Sequence, residues 1–203
     1  MKRVFCLLAL ALCLSASALE KSWNFDADKE GSVPEGFSVE SGSWSVKAAD
    51  APSKPNVVVQ TARSDNHIFN IAVAKEPLLK DVDISVKFKS LAGETDQGGG
   101  LVWRYKDSKN YYIARYNPLE FNYRLYHVVD GKRTQLQSVS KIVLEPGWHT
   151  LRVTMAGEKI ECFLDDKKHL ETSDATFKHA GKIGLWTKAD AQTEFDDLKA
   201  SEN

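Results

Sequence analysis

The sequence has little cysteine, no marked excess of either charge and no long apolar run. Three cysteines occur in 203 residues, and the 27 basic residues are nearly balanced by 28 acidic ones. Lys and Arg form no dense cluster, so the electrostatic signature of a nucleic-acid-binding protein is absent. The longest apolar run, 4–14, has 11 residues, whereas a membrane-spanning helix needs about 20. The sequence therefore predicts neither a nucleic-acid partner nor a membrane span.

The first 18 residues have the layout of a secretory signal peptide. Lys2 and Arg3 precede the apolar run, and small residues at 16 and 18 occupy the two positions that signal peptidase recognises. This arrangement predicts cleavage after Ala18 and export to the periplasm or the extracellular space. The remaining chain, 19–203, would carry 25 basic and 28 acidic residues, a formal charge of −3.

Cys162 is the one cysteine left after this cleavage, so no internal disulfide is expected. Its segment, 159–164, alternates between polar and apolar residues with Cys162 on the apolar side. Reactive thiols need an exposed, electropositive setting. Cys162 is therefore predicted to be a small buried residue of the core.

Strand patterns cover most of the chain, and no segment has a convincing helical period. Polar and apolar residues alternate over 83–89, 151–155, 160–164 and 183–187, which is the period of a half-buried strand. Turn signals such as Asp130-Gly131 separate the segments. Many short strands spaced by turns predict a single all-β sandwich domain over 19–203.

The stretch 98–137 predicts consecutive hairpins whose registers follow from their turns. Connections at 107–109, 118–121 and 130–131 fix these registers. The resulting opposite pairs are Trp103 with Ile113, Tyr105 with Tyr111, Arg115 with Arg124, Asn117 with Asn122, and Tyr126 with Gln135.

Because side chains alternate along a strand, these registers divide the residues between two faces. One face is expected to be core and includes Val102, Tyr112, Ala114, Tyr116, Tyr123 and Leu125. The other face carries aromatic rings among planar hydrogen-bonding groups. Its members are Trp103, Tyr105, Tyr111, Arg115, Asn117, Asn122, Arg124, Tyr126, Gln135 and Gln137.

The second face has the composition of a saccharide-binding surface. Sugar C–H faces stack on aromatic rings, and sugar hydroxyls need paired donors and acceptors. Arg115 and Arg124 would repel each other unless an anion, a polar ligand or Glu120 lies between them. The alternative is that this face packs beneath a loop and that the arginines form structural ion pairs.

Several motifs also carry a family resemblance. They are GGGLVWR at 98–104, NYY at 110–112, RYNPLE at 115–120 followed by Asn122, GWH at 147–149, GKIGLWTKAD at 181–190 and FDD at 195–197. Together they resemble the bacterial 3-keto-disaccharide hydrolase-like family, within the concanavalin A-like lectin/glucanase superfamily. The resemblance extends from about 23 to 199.

This resemblance implies a concanavalin A-like jelly roll of two curved antiparallel sheets, with the ligand on the concave sheet. Trp186 and Lys188 lie on a strand expected to join that sheet, and they complete the candidate ligand-binding set. The family name implies hydrolysis of oxidised disaccharides, although the name is applied to many members without a demonstrated activity.

Catalysis would need a pair of carboxyl groups. Retaining glycosidases place them about 5 Å apart and inverting ones further. Sandwich glucanases of similar fold carry them on one strand as ExDxxE or ExDxE, and this chain has neither pattern. The candidate catalytic residues are Glu120, at the edge of the expected site, and Asp190. His149 is a weaker third candidate.

A structural calcium ion is a further candidate. Asp26 and Asp196 would be neighbours if the terminal strands pair, and carboxylates with loop carbonyls suit Ca²⁺. Asp is also a common turn residue without any metal. The five histidines show no spacing typical of a transition-metal site.

Two main functional hypotheses follow. A non-catalytic glycan-binding module is favoured by the aromatic, amide-rich face and by the missing carboxylate motif. A hydrolase acting on a 3-keto-disaccharide is favoured by the resemblance and by Glu120. A structural interaction domain that uses open sheet edges is a third alternative.

Overall fold

The computed structural model describes residues 20–203, so the expected signal peptide, 1–18, lies outside the described residues. Two antiparallel sheets pack face to face. The larger sheet contains β1 (Glu20–Trp23), β3 (Trp44–Ala48), β4 (Asn56–Gln60), β6 (Val82–Ala92), β11 (His149–Ala156), β12 (Lys159–Leu164), β13 (Lys167–Ser173) and β15 (Gln192–Ser201). The smaller sheet contains β2 (Phe37–Ser41), β5 (Phe69–Ala74), β7 (Gly99–Asp107), β8 (Asn110–Asn117), β9 (Asn122–Val129), β10 (Lys132–Ser140) and β14 (Lys182–Lys188).

The strand order explains how distant segments meet. The eight-stranded sheet runs β13-β12-β11-β6-β15-β4-β3, with β1 paired to β15, and the seven-stranded sheet runs β10-β9-β8-β7-β14-β5-β2. The four segments with strict alternation lie in β6, β11, β12 and β14. The predicted all-β sandwich is confirmed. Residues 20–203 contain no helix that is long and apolar enough to cross a membrane.

The core lies between the two sheets, and the eight-stranded sheet turns its other face to solvent. Strand β6 alternates between buried and half-buried residues over 82–89. Cys162 on β12 is fully buried in this core, as its alternating segment predicts. The outer face carries ion pairs such as Lys47 with Glu194, 2.7 Å apart, and Arg152 with Asp83. This is the composition of an ordinary solvated sheet face.

The seven-stranded sheet carries buried apolar residues on both faces. Besides the core between the sheets, a second buried cluster covers its outer face. The members of this cluster are Ile71, Val73, Val102, Tyr105, Tyr111, Ile113, Tyr126, Val128 and Trp186. Strand β8 is accordingly buried over 111–117.

The outer face of the seven-stranded sheet is concave. Strands β10 and β5 are five places apart, which is about 24 Å in a flat sheet with strands 4.8 Å apart. Nevertheless, the Arg133 guanidinium on β10 lies 5.1 Å from the Phe69 ring on β5. Side chains reach across this gap because the sheet curls around them. We call this surface, the outer face of β5, β14, β7, β8, β9 and β10, the concave face.

A bulge in β7 corrects one predicted register. Trp103 pairs with Tyr112 instead of Ile113, and the ladder shifts between Trp103 and Asp107. Arg104 has a φ of 43°, and its guanidinium donates to the backbone carbonyl of Phe177 at 2.6 Å. The bulge reverses the alternation at this point, so the prediction that placed Trp103 on the ligand face was wrong.

Candidate functional site

The β8–β9 ladder brings two arginines and two asparagines together on the concave face. Arg115 lies opposite Arg124, and Asn117 lies opposite Asn122, as predicted. Gly100 on β7 lies opposite Arg115. A Cβ atom at Gly100 would come 2.9 Å from the Arg115 Cβ atom. The glycine therefore leaves the space that the Arg115 side chain needs.

Glu120 lies between the two arginines and bridges them. Its Oε2 atom accepts hydrogen bonds from Arg115 Nη2 and from the Asn122 amide, each at 2.9 Å, and lies 3.2 Å from Arg124 Nη1. Arg115 Nη1 also donates to Asn122 Oδ1 at 2.5 Å. Asn117 Oδ1 accepts the backbone N–H of Glu120 at 3.3 Å. This contact positions the carboxylate in the connection between β8 and β9.

These contacts hold Glu120 in its ionised form. Partial burial raises the pKa of this carboxyl group. The hydrogen bonds from Asn122 and Arg115, together with the charges of Arg115 and Arg124, outweigh burial and hold the pKa at about 2. At neutral pH Glu120 is therefore an anion and a hydrogen-bond acceptor.

A second polar cluster joins β8 to β14 through the loop before β7. Asp96 is buried in that loop; it accepts a hydrogen bond from Asn117 Nδ2 at 3.1 Å and pairs with Lys188 at 3.3 Å. Lys188 also donates to Asn66 Oδ1 at 2.5 Å. Burial raises the pKa of Asp96, although the charges of Arg115 and Lys188 oppose that shift. These contacts hold the Asn117 and Lys188 side chains in place on the concave face.

The concave face concentrates buried polar atoms that have no hydrogen-bond partner in the protein. Within residues 20–203 there are eight such side-chain atoms, and six of them lie on this face. They are Tyr105 Oη, Tyr111 Oη, Arg115 Nε, Arg124 Nε, Arg133 Nη1 and Trp186 Nε1. Buried polar groups are normally paired, and an unpaired one costs about 1–3 kcal/mol. Glu40 lies near Tyr105 Oη, and Trp186 Nε1 lies near Tyr111 Oη, but neither pair has the geometry of a hydrogen bond. All six groups can donate, so a ligand rich in acceptors would satisfy them.

The two tyrosine hydroxyls remain donors at neutral pH. The Tyr105 and Tyr111 rings lie 5.5 Å apart on the concave face. Burial raises the pKa of both hydroxyls well above the ordinary value. The nearby Glu40 carboxylate adds to the shift at Tyr105, whereas the Trp186 N–H and the Arg133 charge oppose it at Tyr111 without offsetting it.

Arg133 covers the concave face and is a candidate ligand-binding residue that the sequence analysis missed. Its guanidinium lies 4.4 Å from the Tyr126 ring centroid and 5.1 Å from that of Phe69. The Phe69 ring in turn lies 5.4 Å from the Trp186 ring. The alternation that places Gln135 on this face also places Arg133 there, so the signal was present. Phe69 offered no such signal, because its role depends on the curvature of the sheet.

Ten of the twelve predicted ligand-face residues lie along the concave face; the ten are Tyr105, Tyr111, Arg115, Asn117, Asn122, Arg124, Tyr126, Gln135, Trp186 and Lys188. Gln135 lies opposite Tyr126 on the edge strand β10, as predicted, but a bulge after Gln135 places Gln137 opposite the core residue Leu125, so the prediction for Gln137 was wrong. Trp103 is the other exception, because it is fully buried between the sheets. Its indole stacks on Tyr112 at 5.4 Å, and its N–H donates to Met155 Sδ at 3.2 Å.

The candidate catalytic residues do not form a pair, because each is hydrogen-bonded to different partners. Asp190 accepts backbone N–H groups of the loop 94–96 at 2.8–3.1 Å. Burial raises its pKa, but these hydrogen bonds outweigh burial and the pKa is lowered. His149 has both ring nitrogens occupied, by Asp165 and by the Glu145 carbonyl oxygen, each at 2.7 Å. A glycosidase acid needs a raised pKa, and Glu120 and Asp190 both have lowered ones.

The carboxylates proposed for calcium already accept hydrogen bonds from the chain. Asp26 Oδ1 accepts the Asn56 backbone N–H at 3.1 Å, and Asp196 accepts both the backbone N–H and the hydroxyl of Ser53 at 2.8 Å. Residues 20–203 hold no group of three or more His, Cys, Asp or Glu arranged for a metal ion. Because N–H and O–H donors face both carboxylates, this donor set does not fit calcium.

A sizeable cavity lies away from the concave face. It is an open groove of about 1000 Å³ beside β1, lined in part by Trp23, Phe25, Lys75, Pro77 and Leu78. None of the unpartnered polar atoms belongs to its lining. The groove and the unpartnered polar atoms therefore lie in different parts of the protein. Specific recognition depends on convergent polar groups more than on cavity volume. The concave face is the stronger candidate site.

No protein-family model and no curated protein sequence matches this chain. Solved structures do. The carbohydrate-binding module CBM66 from Bacillus subtilis superposes with a TM-score of 0.66 at 18% identity, over 81% of this chain and 94% of that one. A Bacillus subtilis protein of unknown function with a galectin-like fold gives 0.65 at 10% identity, over 92% and 96%. The VIP36 exoplasmic/lumenal domain, bound to Ca²⁺ and mannose, gives 0.61 at 12% identity, over 89% and 88%.

The fold is that of the concanavalin A-like and galectin-like sandwiches. At these identities the likeness establishes the fold alone, and function has to be argued from the site. The resemblance to the 3-keto-disaccharide hydrolase-like family stays a prediction.

Proposed function

We propose that this protein is exported and binds a saccharide on its concave face. The observation that carries the proposal is the set of six buried donors without protein partners, which lie among aromatic rings on one curved surface. Export rests on the signal-peptide pattern of 1–18. A carbohydrate-binding module and a mannose-bound domain with the same fold support the choice of ligand class.

The rings and the polar clusters have complementary roles in this proposal. Phe69 and Tyr126 offer ring faces for stacking on sugar C–H groups. Arg115 and Asn122 are held by Glu120, so their remaining donors are already oriented for sugar oxygens. Such preorganisation lowers the entropic cost of binding. The Arg133 guanidinium fills the gap between the two rings, and a bound sugar would displace it or pack against it.

A glycan array with the purified protein tests this proposal, followed by calorimetry on the glycans that bind. Phe69→Ala should reduce affinity at least tenfold, because it removes a stacking surface worth about 1.4 kcal/mol or more. Leu78→Ala is the matched control, since Leu78 is 58% exposed and lines the groove beside β1. Equal affinity for Phe69→Ala and the wild type would exclude the concave face as the site.

Hydrolysis of a 3-keto-disaccharide or a related modified glycoside is the second candidate function. Its support is that the motif residues Arg115, Asn117, Glu120 and Asn122 converge into one hydrogen-bonded cluster on the concave face. Glu120 would act there as a base or a nucleophile in its ionised form, because its low pKa does not suit a general acid.

Incubation with 3-keto-glucosides and with their unoxidised parents separates the two functions. Release of sugar by the wild type, lost in Glu120→Gln, would support hydrolysis and the role of this carboxylate. Release that persists in Glu120→Gln would remove Glu120 from the reaction. Binding without release of any of these glycosides would leave saccharide binding as the function.

A further inference from the structure

The charged side chains that form ion pairs on the concave face carry more positive than negative charge. Arg115 and Arg124 share one oxygen of one carboxylate, Glu120. Lys188 is paired separately with Asp96. One guanidinium charge in the β8–β9 cluster is therefore left without a counter-charge.

Arg133 adds a second uncompensated charge. Arg133 forms no ion pair within 4 Å among residues 20–203. Burial lowers the pKa of Arg133, and the more distant Asp96 carboxylate opposes that shift without offsetting it. The nearest aromatic rings, of Tyr126 and Phe69, supply cation–π contacts only. Its Nη1 atom is buried without a partner. Glu40 and Asp107, the acidic residues near Tyr105, form no ion pair with the three arginines.

A neutral sugar would not supply a counter-charge for these two guanidinium groups. Removing a charged group from water is costly unless a counter-charge or several hydrogen bonds replace the lost water. Sugar hydroxyls would satisfy individual N–H groups and would leave both excess charges in place. A carboxylate accepts two parallel hydrogen bonds from one guanidinium and neutralises it as well.

We infer that the saccharide bound on the concave face is acidic, and that Arg133 pairs with its anionic group. This inference rests on the proposed saccharide-binding function and specifies its ligand class. A uronic acid carboxylate and a sugar sulfate share the required chemistry, which is an oxyanion attached to a sugar ring. Arg124, whose Nε is unpartnered and whose side chain is 30% exposed, lies on the neighbouring strand and is the second candidate contact for that anion.

Paired probes test the inference directly. Affinities of the purified protein would be measured for oligogalacturonate and for the same oligomer with its carboxyl groups methyl-esterified. A glycan array with neutral, uronate-containing and sulfated glycans would widen the stereochemical range and would distinguish carboxylate from sulfate. We expect the acidic form of each bound glycan to bind at least tenfold more tightly than its neutral counterpart. Added salt should reduce the affinity of the acidic form only.

Arg133→Gln tests the assigned residue. This variant should lose most of the preference for the acidic form, because the guanidinium assigned to the anion is gone, while the excess charge beside Glu120 would keep a smaller part of it. Arg152→Gln removes the same charge from the outer face of the other sheet, where Arg152 pairs with Asp83, and should keep the acidic preference. Circular dichroism on both variants would establish that they are folded.

The possible failures are distinguishable. Neutral glycans that bind as tightly as their acidic counterparts would overturn the inference and leave the proposed function standing. An acidic preference that is undiminished in Arg133→Gln would show that Arg133 does not pair with the anion. If no glycan of either kind binds, the proposed function itself is contradicted.

Discussion

Arg115 and Arg124 lie directly opposite each other on adjacent strands, and both contact the same oxygen of Glu120. Like charges in this position repel, so the carboxylate between them is a structural requirement as well as part of the candidate site. Removing its charge should affect the fold in a pH-dependent way.

Glu120→Gln should lower the free energy of unfolding at pH 7 by on the order of 1 kcal/mol, since Glu120 is partly exposed and solvent screens the pair. The folded-state pKa of about 2 lies below the ordinary value of 4.5. The contribution is therefore fully present above pH 4.5 and is lost as the pH falls toward 2. Urea unfolding at several pH values should show the variant and the wild type converging over that range. A difference that stays constant down to pH 2 would contradict the ionic role, and Glu30→Gln, at an exposed position, is the control.

Tyr111→Phe should weaken saccharide binding without destabilising the fold. Its hydroxyl is fully buried and lies near the Trp186 N–H without hydrogen-bond geometry, so removing it eliminates a poorly paired polar group. We expect a free energy of unfolding within about 0.5 kcal/mol of the wild type, or higher, and a measurable loss of affinity in calorimetry. A marked loss of stability would mean that the hydroxyl has a partner within the protein.

Trp103→Phe should destabilise the fold without weakening saccharide binding. Trp103 stacks on Tyr112 between the sheets, so truncation should lower the free energy of unfolding by on the order of 2 kcal/mol. Saccharide affinity of the folded protein should be unchanged, because Trp103 faces away from the concave face. Reduced affinity with unchanged stability would restore Trp103 to the ligand surface and contradict the bulge at Arg104.

Cys162 should be unreactive in the native protein. It is fully buried, and burial raises the pKa of its thiol, so little thiolate is present at neutral pH. A thiol reagent such as iodoacetamide should modify it only after denaturation, as measured by mass spectrometry. Rapid modification under native conditions would contradict the packing of β12 in the core.

Local turn chemistry was sufficient to predict several registers. The Asp130-Gly131 signal correctly set Tyr126 opposite Gln135, because a two-residue hairpin leaves one register. The wider connection before Asn122 also gave the correct pairing of Asn117. Where a turn alone determines the ladder, the sequence is informative.

The bulge at Arg104 could not be predicted from its own strand. A non-glycine residue at a φ of 43° is unfavourable locally. It is held by hydrogen bonds to the Lys80, Phe177 and Gly157 carbonyl oxygens, which come from distant parts of the chain. The assignment of Trp103 failed for this reason.

The curvature of the seven-stranded sheet was likewise beyond sequence reasoning. The approach of Phe69 to Arg133 depends on the accumulated curl of six strands. No local pattern near Phe69 indicates that its ring meets β10, so the aromatic part of the candidate site was predicted only in part.

The central claim is that a saccharide occupies the concave face, and the five tryptophan indole N–H signals report on it directly. In ¹⁵N–¹H spectra these signals belong to Trp23, Trp44, Trp103, Trp148 and Trp186, and single Trp→Phe variants would assign them. Titration with a glycan identified on the array should shift the Trp186 signal most, because its unpartnered Nε1 lies on the concave face. Trp44 and Trp103 in the core should not respond. The largest shift at Trp23, in the groove beside β1, or at Trp148 would place the ligand elsewhere and contradict the account.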